Sequence, residues 1–368
     1  MPIIDYTTHF PDEVEIKKNH DIIDNYVSKE PPDWDKLRNN YLGENEDWME
    51  FMEQLSKGTV DTLQKQWQEQ FEGNIERIKS GSNVADLEGI HGFNNTAIVI
   101  GASPMLKKNG HHLRDASQKD GFILVSVGSA LKYLLSIGVK PQYVCICDAG
   151  IEVKPQLDGV DTRDITLIAN AWCHPDVLDC WKGKIFYGYL PLSQNHEDDI
   201  KNLEKLGNCC EMSALGNVFN MGVLFAYKLL KCRNIIMVGN ELTINVDEYY
   251  ADGTTPEFIK KYAMLAYVTT IIGKTALTMA GFYQYKLALE NMLGQFNGFF
   301  INATEDGIVG QSHRYGRLPW IKQYTLELSI KLAKEAYKKA KVKETEYWAK
   351  KVATDFLTAR KIAEYHGI

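Results

Sequence analysis

The feature that most constrains the fold of this chain is a series of short, nearly continuous apolar runs separated by helical patterns. Seven runs are strand candidates: TAIVIG, GFILVSVG, QYVCICDAG, DITLIANA, KIFYGYL, NIIMVGNE and GFFINAT. Helix candidates such as SALKYLLSI, HPDVLDCW and NVFNMGVLFAYKLLKC lie between them. Apolar strands that alternate with helices indicate a parallel sheet covered on both faces. We therefore predict an α/β fold with a Rossmann-like, mostly parallel sheet, helices on both faces and helical regions at both ends.

The two ends of the chain have a different texture from this central part. Before residue 93, apolar side chains such as Leu63, Trp67 and Phe71 recur at helical spacing among polar residues. After about Pro319 the pattern is again helical and rich in lysine. We predict a helical N-terminal extension over 1–92, a Rossmann-like nucleotide-binding domain over 93–318 and amphipathic C-terminal helices over 319–368.

Charge, hydropathy and cysteine usage exclude several classes of function. A net charge of -7 over 368 residues argues against a broad nucleic-acid surface, which needs clustered cations. No stretch approaches the ~20 apolar residues that cross a bilayer, and the first residues lack the pattern of a signal peptide. The seven cysteines show no zinc-ligand spacing and are expected to be reduced. We expect a cytoplasmic protein without a nucleic-acid or membrane partner.

The predicted sheet places its functional residues at one edge. Ligands of open parallel sheets bind outside the carboxyl ends of the strands. The residues that follow the predicted strands are small residues, hydroxyls, carboxylates and one histidine: 101–104, 128–129, Asp148, 170–174, Glu241 and 304–305. Ser129 and Thr304 in this set are predicted to contact a nucleotide.

The first of these loops is suited to a phosphate. It consists of Gly101, Ala102, Ser103 and Pro104, after a strand and before a helix or turn. The glycine permits close approach of a ligand, and the serine offers a hydroxyl next to free backbone N–H groups. The sequence has neither the GxGxxG fingerprint nor a P-loop here. An ordinary tight turn is the alternative.

Two carboxylates, Asp148 and Glu241, each end an apolar strand. A carboxylate in such a position is solvated in a cleft, paired or bound to a cation. Neighbouring strand ends with two carboxylates predict a Mg²⁺ site completed by substrate phosphates. The alternative is a helix cap or a local ion pair.

A second anion site and the candidate bases come from later segments. Ser213, Gly216 and Asn217 precede a predicted helix, whose N-terminal amides suit an anionic ligand. A histidine with a pKa near 6.5 suits the deprotonation of an acceptor hydroxyl. The candidate bases of the central region are His174, His196 and His313.

The ordered set of segments resembles the MptE-like family, which includes archaeal 6-hydroxymethyl-dihydropterin diphosphokinases and the bacterial Maf proteins linked to flagellin glycosylation. The resemblance runs from about Asn74 to Pro319, through AIVIGASPML, VSVGSALKYLLSIGVKPQYVCICDAG, HPDVLDCWKGKIFYG, SALGNVFNMGVLFAYKLLKCRNIIMVGNELT and INATEDGIVG. The family's GxGPSL loop has Ser103 in place of its second glycine, and its GxDL segment has Glu241 in place of aspartate. The family core is also similar to bacterial sialyltransferases that use CMP-sialic acid.

This resemblance implies a nucleotide donor across the strand ends. The first implied function is a Maf-like glycosyltransferase that moves a sugar, such as a nonulosonic acid, from a CMP-type donor to a protein or glycan hydroxyl. Asp148 and a histidine, His174 or His313, would then act in catalysis, and Tyr249 or Tyr250 would stabilise the leaving phosphate. The second is an MptE-like diphosphokinase that binds ATP and Mg²⁺. The third is a nucleotide-binding protein without catalysis.

Overall fold

A computed structural model of the protein describes residues 46–91, 94–191, 196–207, 209–244, 250–252, 265–312 and 316–343. The sheet and all contacts reported below lie within Glu50–Ile368, one of two compact units of the chain. No helix among the described residues is long and apolar enough to cross a membrane.

The centre of the fold is a nine-stranded sheet in which every pairing is parallel. Its strands are β1 (Ser82–Asn83), β2 (Thr96–Ile100), β3 (Phe122–Val127), β4 (Tyr143–Ile146), β5 (Thr166–Asn170), β6 (Ile185–Gly188), β7 (Asn234–Val238), β10 (Phe299–Asn302) and β13 (Ile321–Gln323). Two antiparallel pairs lie outside it: β8 (Leu265–Thr269) with β9 (Thr275–Met279), and β11 (Gln311–Ser312) with β12 (Gly316–Arg317).

The strand order is β1-β6-β5-β4-β3-β2-β7-β10-β13. From β2 the chain builds the sheet outward to β6, and it then returns to the other side of β2 with β7. The order therefore reverses between β2 and β7, and this reversal is the topological switch point at which doubly wound sheets bind ligands.

The described helices surround this sheet. They are α1 (Glu46–Ser80), α2 (Leu106–Asn109), α3 (Leu113–Ser117), α4 (Leu131–Ser136), α5 (Lys154–Leu157), α6 (Pro175–Cys180), α7 (His196–Leu206), α8 (Val218–Leu224), α9 (Ala280–Gln295) and α10 (326–343). Helix α8 lies directly on the sheet, since a Cβ added at Gly222 would contact the side chains of Val99, Val125 and Cys145 on three adjacent strands. A single π-helical turn, Phe225–Leu229, continues α8 toward β7.

The flanking helices pack on this body. In α1 the fully buried Phe71 meets the ring of Tyr189 edge to face, and Trp67 stacks on Trp172 with ring centroids 4.9 Å apart. Helix α10 begins at the carboxyl edge of the sheet, where Glu305 accepts a hydrogen bond from the Leu326 N–H at 2.9 Å.

The predicted fold class is confirmed, and each of the seven predicted strands is present. The sequence reading missed the short edge strands β1 and β13 and the two antiparallel pairs. Strand β1 precedes the boundary predicted at residue 93, and β13 follows the one predicted at 318. The two domain boundaries remain predictions, as do the helices expected over 344–368, which lie outside the described residues.

Candidate functional site

The loops after β2 and β7 touch each other at the switch point. The Gly101 N–H donates to the Val238 carbonyl at 2.8 Å, and the Ser103 N–H donates to the Gly239 carbonyl at 3.0 Å. A Cβ at Gly239, whose φ is +70°, would lie 2.5 Å from the Gly101 carbonyl oxygen. A Cβ at Gly101 would collide with the Gly239 carbonyl in return. Only glycine on both sides permits this approach, which sets where the two loops leave the sheet.

Asp148 stands at the carboxyl end of β4, two strands from β2. Its side chain is exposed to solvent, yet protein surrounds it on its other sides. This desolvation raises the pKa of its carboxyl, and the nearby Glu152 carboxylate raises it further. Exposure together with a desolvated environment describes a carboxyl on the wall of an open cleft, where water moderates the shift.

Two tyrosines share the electrostatic environment of Asp148. Burial raises the pKa of Tyr285, on α9, and that of Tyr250 to about 12, and the charge of Asp148 contributes to both increases. The Ala251 N–H donates to the Ala102 carbonyl at 2.7 Å, which fixes the chain next to Tyr250 on the loop after β2. Both phenols therefore stay protonated near pH 7, the form in which a phenol can donate a hydrogen bond.

The turn before α8 lies against the ring of Tyr285. Asn217 caps α8 by accepting a hydrogen bond from the Asn220 N–H at 2.7 Å. Gly216, with φ +94°, packs against the ring of Tyr285, because a Cβ there would lie 2.6 Å from that ring. We call the site formed by Ala102, Asp148, Gly216, Tyr250 and Tyr285 the switch-point cleft.

Glu241 has a different environment from Asp148. Its Oε2 accepts a hydrogen bond from the Met105 N–H at 2.9 Å and so anchors the start of α2. Burial raises the pKa of its carboxyl, and this hydrogen bond partly lowers it again. The Ser103 hydroxyl lies close enough to contribute to that lowering, although the geometry gives its oxygen no hydrogen bond.

The sequence placed Asp148 and Glu241 at neighbouring strand ends, but β3 and β2 lie between β4 and β7. The two-carboxylate Mg²⁺ site stays a prediction. The charges that act on Asp148 come from Glu152, whereas those that act on Glu241 come from Asp306 and Lys108. Within the described part of the chain, no three histidine, cysteine, aspartate or glutamate side chains gather as metal ligands do.

His174 serves as the N-cap of α6. Its Nδ1 accepts a hydrogen bond from the Asp176 N–H at 3.1 Å. In the neutral ring this bond places the proton on Nε2, so that His174 has no free lone pair for a base while it caps the helix. Of the other candidate bases, His196 is the first residue of α7. His313 and the predicted Tyr249 lie outside the described residues.

The remaining predicted residues differ in their access to a ligand. Ser129 is partly exposed at the end of β3, and Ser213 is exposed in the turn before α8. Thr304 is fully buried, and its hydroxyl accepts a hydrogen bond from the Asn240 N–H at 3.3 Å. The buried Thr304 hydroxyl therefore stabilises the loop after β7. Pro104 belongs to the turn that starts α2, where its carbonyl accepts from the Lys107 N–H at 3.0 Å.

Sequence reasoning missed Tyr285, Asn220 and Glu152. Tyr285 lies on α9, more than 100 residues beyond Asp148, and no spacing in the sequence links the two. The signal for Asn220 was available, because an asparagine in the apolar run NVFNMGVLF calls for a buried hydrogen-bond partner.

The model of a family described as 6-hydroxymethylpterin diphosphokinase MptE-like matches residues 69–247. The match confirms, for this segment, the resemblance stated from the sequence. The segment holds β2 to β7, the 101–104 loop, Asp148, the turn before α8 and Glu241. It ends before Tyr250 and Tyr285.

Among solved structures, the chain is similar to that of a Maf glycosyltransferase from Magnetospirillum magneticum AMB-1, with a TM-score of 0.48 and 14% sequence identity. The similarity covers 72% of this chain and 42% of that one, so this chain corresponds to less than half the length of that protein. No curated protein matches the chain.

Proposed function

Residues 69–247 match the model of the MptE-like family, and on this premise we propose that the protein is a nucleotide-dependent transferase. We propose further that it is a glycosyltransferase, which moves a sugar from a CMP-type donor to a hydroxyl of a protein or glycan. The observation that carries the proposal is the switch-point cleft, where one solvated carboxyl with a raised pKa stands near two protonated phenols.

The charge of the cleft favours a donor with a single phosphodiester. Among the described residues, the charged groups that act on Asp148, Tyr250 and Tyr285 are carboxylates, and no cation contributes to these three pKa shifts. Such a site repels the several charges of a triphosphate more than the single charge of a CMP-sugar. Hydroxyl groups supply neutral hydrogen bonds to the phosphate, which need no bound metal.

In the proposed reaction Asp148 is the base. It accepts the proton of the acceptor hydroxyl, and the acceptor oxygen forms a bond to the anomeric carbon of the sugar. The bond from that carbon to the phosphate oxygen breaks, and its electron pair leaves with the nucleoside monophosphate. Tyr250 and Tyr285 donate hydrogen bonds to the departing phosphate, while the 101–104 loop and the turn before α8 hold the nucleotide.

The family description favours a second function, a diphosphokinase that uses ATP. That reaction handles a triphosphate and requires a divalent cation on it, which Asp148 and Glu241 would have to hold together. Binding experiments separate the two functions, because only the second depends on a divalent cation.

The test is a calorimetric titration of the full chain with CMP and with ATP, each with Mg²⁺ and with EDTA. We expect CMP to bind equally well in both buffers and ATP to bind weakly. Asp148→Asn abolishes the release of CMP from a CMP-activated sugar in the presence of acceptor, whereas Asp120→Asn does not. Asp120 is the matched control, since it is exposed and precedes β3 at the opposite edge of the sheet.

The other outcomes each overturn the proposal in a different way. Mg²⁺-dependent binding of ATP supports the diphosphokinase. CMP binding without any turnover of CMP-activated sugars supports a protein that only binds nucleotides. Binding of neither nucleotide contradicts both enzyme functions.

A further inference from the structure

A buried amide connects the turn before α8 with α9. The side chain of Asn220 is fully buried, and its Nδ2 donates to the Leu215 carbonyl at 3.0 Å and to the Tyr285 carbonyl at 3.1 Å. Two carbonyl acceptors fix the orientation of the amide, because the opposite orientation would place its oxygen against both of them. One side chain thus sets the distance between two segments that are about 70 residues apart.

The two segments that Asn220 joins are also in contact at the switch-point cleft. The ring of Tyr285 packs against Gly216, where a Cβ would lie 2.6 Å from the ring carbon Cδ1. Leu215 and Gly216 both have positive φ angles, +45° and +94°. A non-glycine residue keeps such a conformation only when its surroundings hold it, and the hydrogen bond from Asn220 to the Leu215 carbonyl does so.

We infer that Asn220 is a positioning residue, which holds the Tyr285 hydroxyl in the switch-point cleft by fixing the backbone of Tyr285 against the turn before α8. This inference rests on the proposed function, since it assigns the Tyr285 hydroxyl to the donor nucleotide. Asn220 lies in the segment that matches the family model, and its contact with α9 connects that segment to a helix beyond residue 247.

A double-mutant cycle tests the inference with CMP as the probe. In the wild-type protein, Tyr285→Phe removes one hydrogen bond to the phosphate and is expected to weaken CMP binding about tenfold. Asn220→Ala is expected to weaken it by about the same factor, because the hydroxyl is then misplaced. In the Asn220→Ala background, Tyr285→Phe is expected to cost less than about twofold.

Asn202→Ala is the matched control. Asn202 is also a buried asparagine on a helix, with 6% of its surface exposed, and its Nδ2 donates to the Tyr189 hydroxyl at 3.3 Å. Loss of the Asn202 side chain destabilises the protein without changing a contact of α9. In the Asn202→Ala background, Tyr285→Phe should therefore still weaken CMP binding about tenfold. If the effects of Asn220→Ala and Tyr285→Phe on CMP affinity simply add, Asn220 is a structural residue only and the inference is wrong.

A second measurement needs no ligand. Tetranitromethane nitrates accessible tyrosines, and mass spectrometry of the peptide that contains Tyr285 follows its rate. We expect both Asn220→Ala and Gly216→Ala, which displaces the ring from the other side, to raise this rate severalfold. The rate should not change in Asn202→Ala.

The two measurements separate this inference from the proposed function. If the wild-type protein binds no CMP while both variants raise the nitration rate, the proposed function fails and the positioning of Tyr285 stands. If nitration of Tyr285 is the same in every variant, Asn220 does not position it, whatever the nucleotide binding. If Asn220→Ala does not fold, Asn220→Ser, whose shorter side chain cannot reach both carbonyls, takes its place in both measurements.

Discussion

The loops after β4 and β7 each carry a carboxylate, but the two carboxylates have different surroundings. Each strand is buried and apolar, and a carboxylate follows each of them: Asp148 after β4 and Glu241 after β7. Asp148 is exposed and raises the pKa of two tyrosines in the switch-point cleft. Glu241 accepts a hydrogen bond from the Met105 N–H and holds the start of α2.

The difference shows that a carboxylate at a strand end is not by itself a catalytic signal. What distinguishes the two is the partner. Glu241 uses its charge within the protein to satisfy a backbone donor, whereas Asp148 is kept partly desolvated beside another carboxylate, Glu152. A group held at a raised pKa and open to a ligand is the one suited to proton transfer. The following variants test this contrast.

Asp148→Asn should have the largest effect. Loss of a general base lowers the rate of sugar transfer by about 100-fold or more, as measured by the initial rate of CMP release. The variant should also have a higher free energy of unfolding near pH 7, because a carboxyl with a raised pKa binds its proton more tightly in the folded protein. The free energy of unfolding therefore falls as pH rises through that pKa, and the variant avoids this loss. A variant that is inactive and has a lower Tm at pH 7 would contradict this role.

Gly239→Ala should disturb both loops. Its φ of +70° and the 2.5 Å approach to the Gly101 carbonyl force the backbone to move. The matched control is Gly138→Ala, with φ +74° and no atom within 4 Å of the added Cβ. The control should lower the free energy of unfolding by about 1–2 kcal/mol from strain alone. Gly239→Ala should lower it further and weaken CMP binding about tenfold or more; equal losses of stability would show that the loop contact is unimportant.

Glu152→Gln should change the pH dependence of the reaction. Glu152 raises the pKa of Asp148, so its neutralisation lowers that pKa. A base works only when it is ionised, and activity falls as pH falls through its pKa. The acid limb of the kcat/KM profile should therefore move to lower pH. The exposed Glu204→Gln, on α7, serves as the control and should leave the profile in place.

Glu241→Gln should have the smallest effect. The amide oxygen still accepts the Met105 N–H, and the cost of burying a charge is removed. We expect CMP affinity within about twofold of the wild-type value and an unchanged or slightly higher Tm. A large loss of affinity, above all one seen only with Mg²⁺, would show that Glu241 binds the ligand after all and would remove the contrast with Asp148.

The sequence predicted the parts of the fold that depend on local pattern. All seven central strands follow from near-continuous apolar runs, and the rule for parallel sheets led directly to the 101–104 loop and Asp148. The edge strands β1 and β13 were missed because two or three residues carry no recognisable pattern. The hairpin β8–β9 was missed because its alternation is too short to distinguish from other structure.

The roles within the site were harder to predict, because they depend on contacts between distant segments. The sequence treated Asp148 and Glu241 as a pair, whereas in the structure two strands lie between them and Glu241 accepts a hydrogen bond from Met105. His174 was predicted to be a base, a role that stays a prediction, but its hydrogen bond to Asp176 is the kind of local cap that one sequence does not reveal. Tyr285 enters the cleft through α9, whose position depends on the packing of the whole body.

The position of β2 in the middle of the sheet determines the order in which this protein is assembled on the ribosome. Its partner on one side, β3, follows within about 25 residues, but its other partner, β7, emerges only about 140 residues later. At a synthesis rate of about 5–20 residues per second, one edge of β2 stays without its neighbour for roughly 7–28 s. During that time a buried apolar strand, TAIVI, exposes unpaired backbone groups that invite association with other chains. The same reversal of strand order that forms the switch point therefore leaves one edge of β2 without its neighbour until β7 has been made.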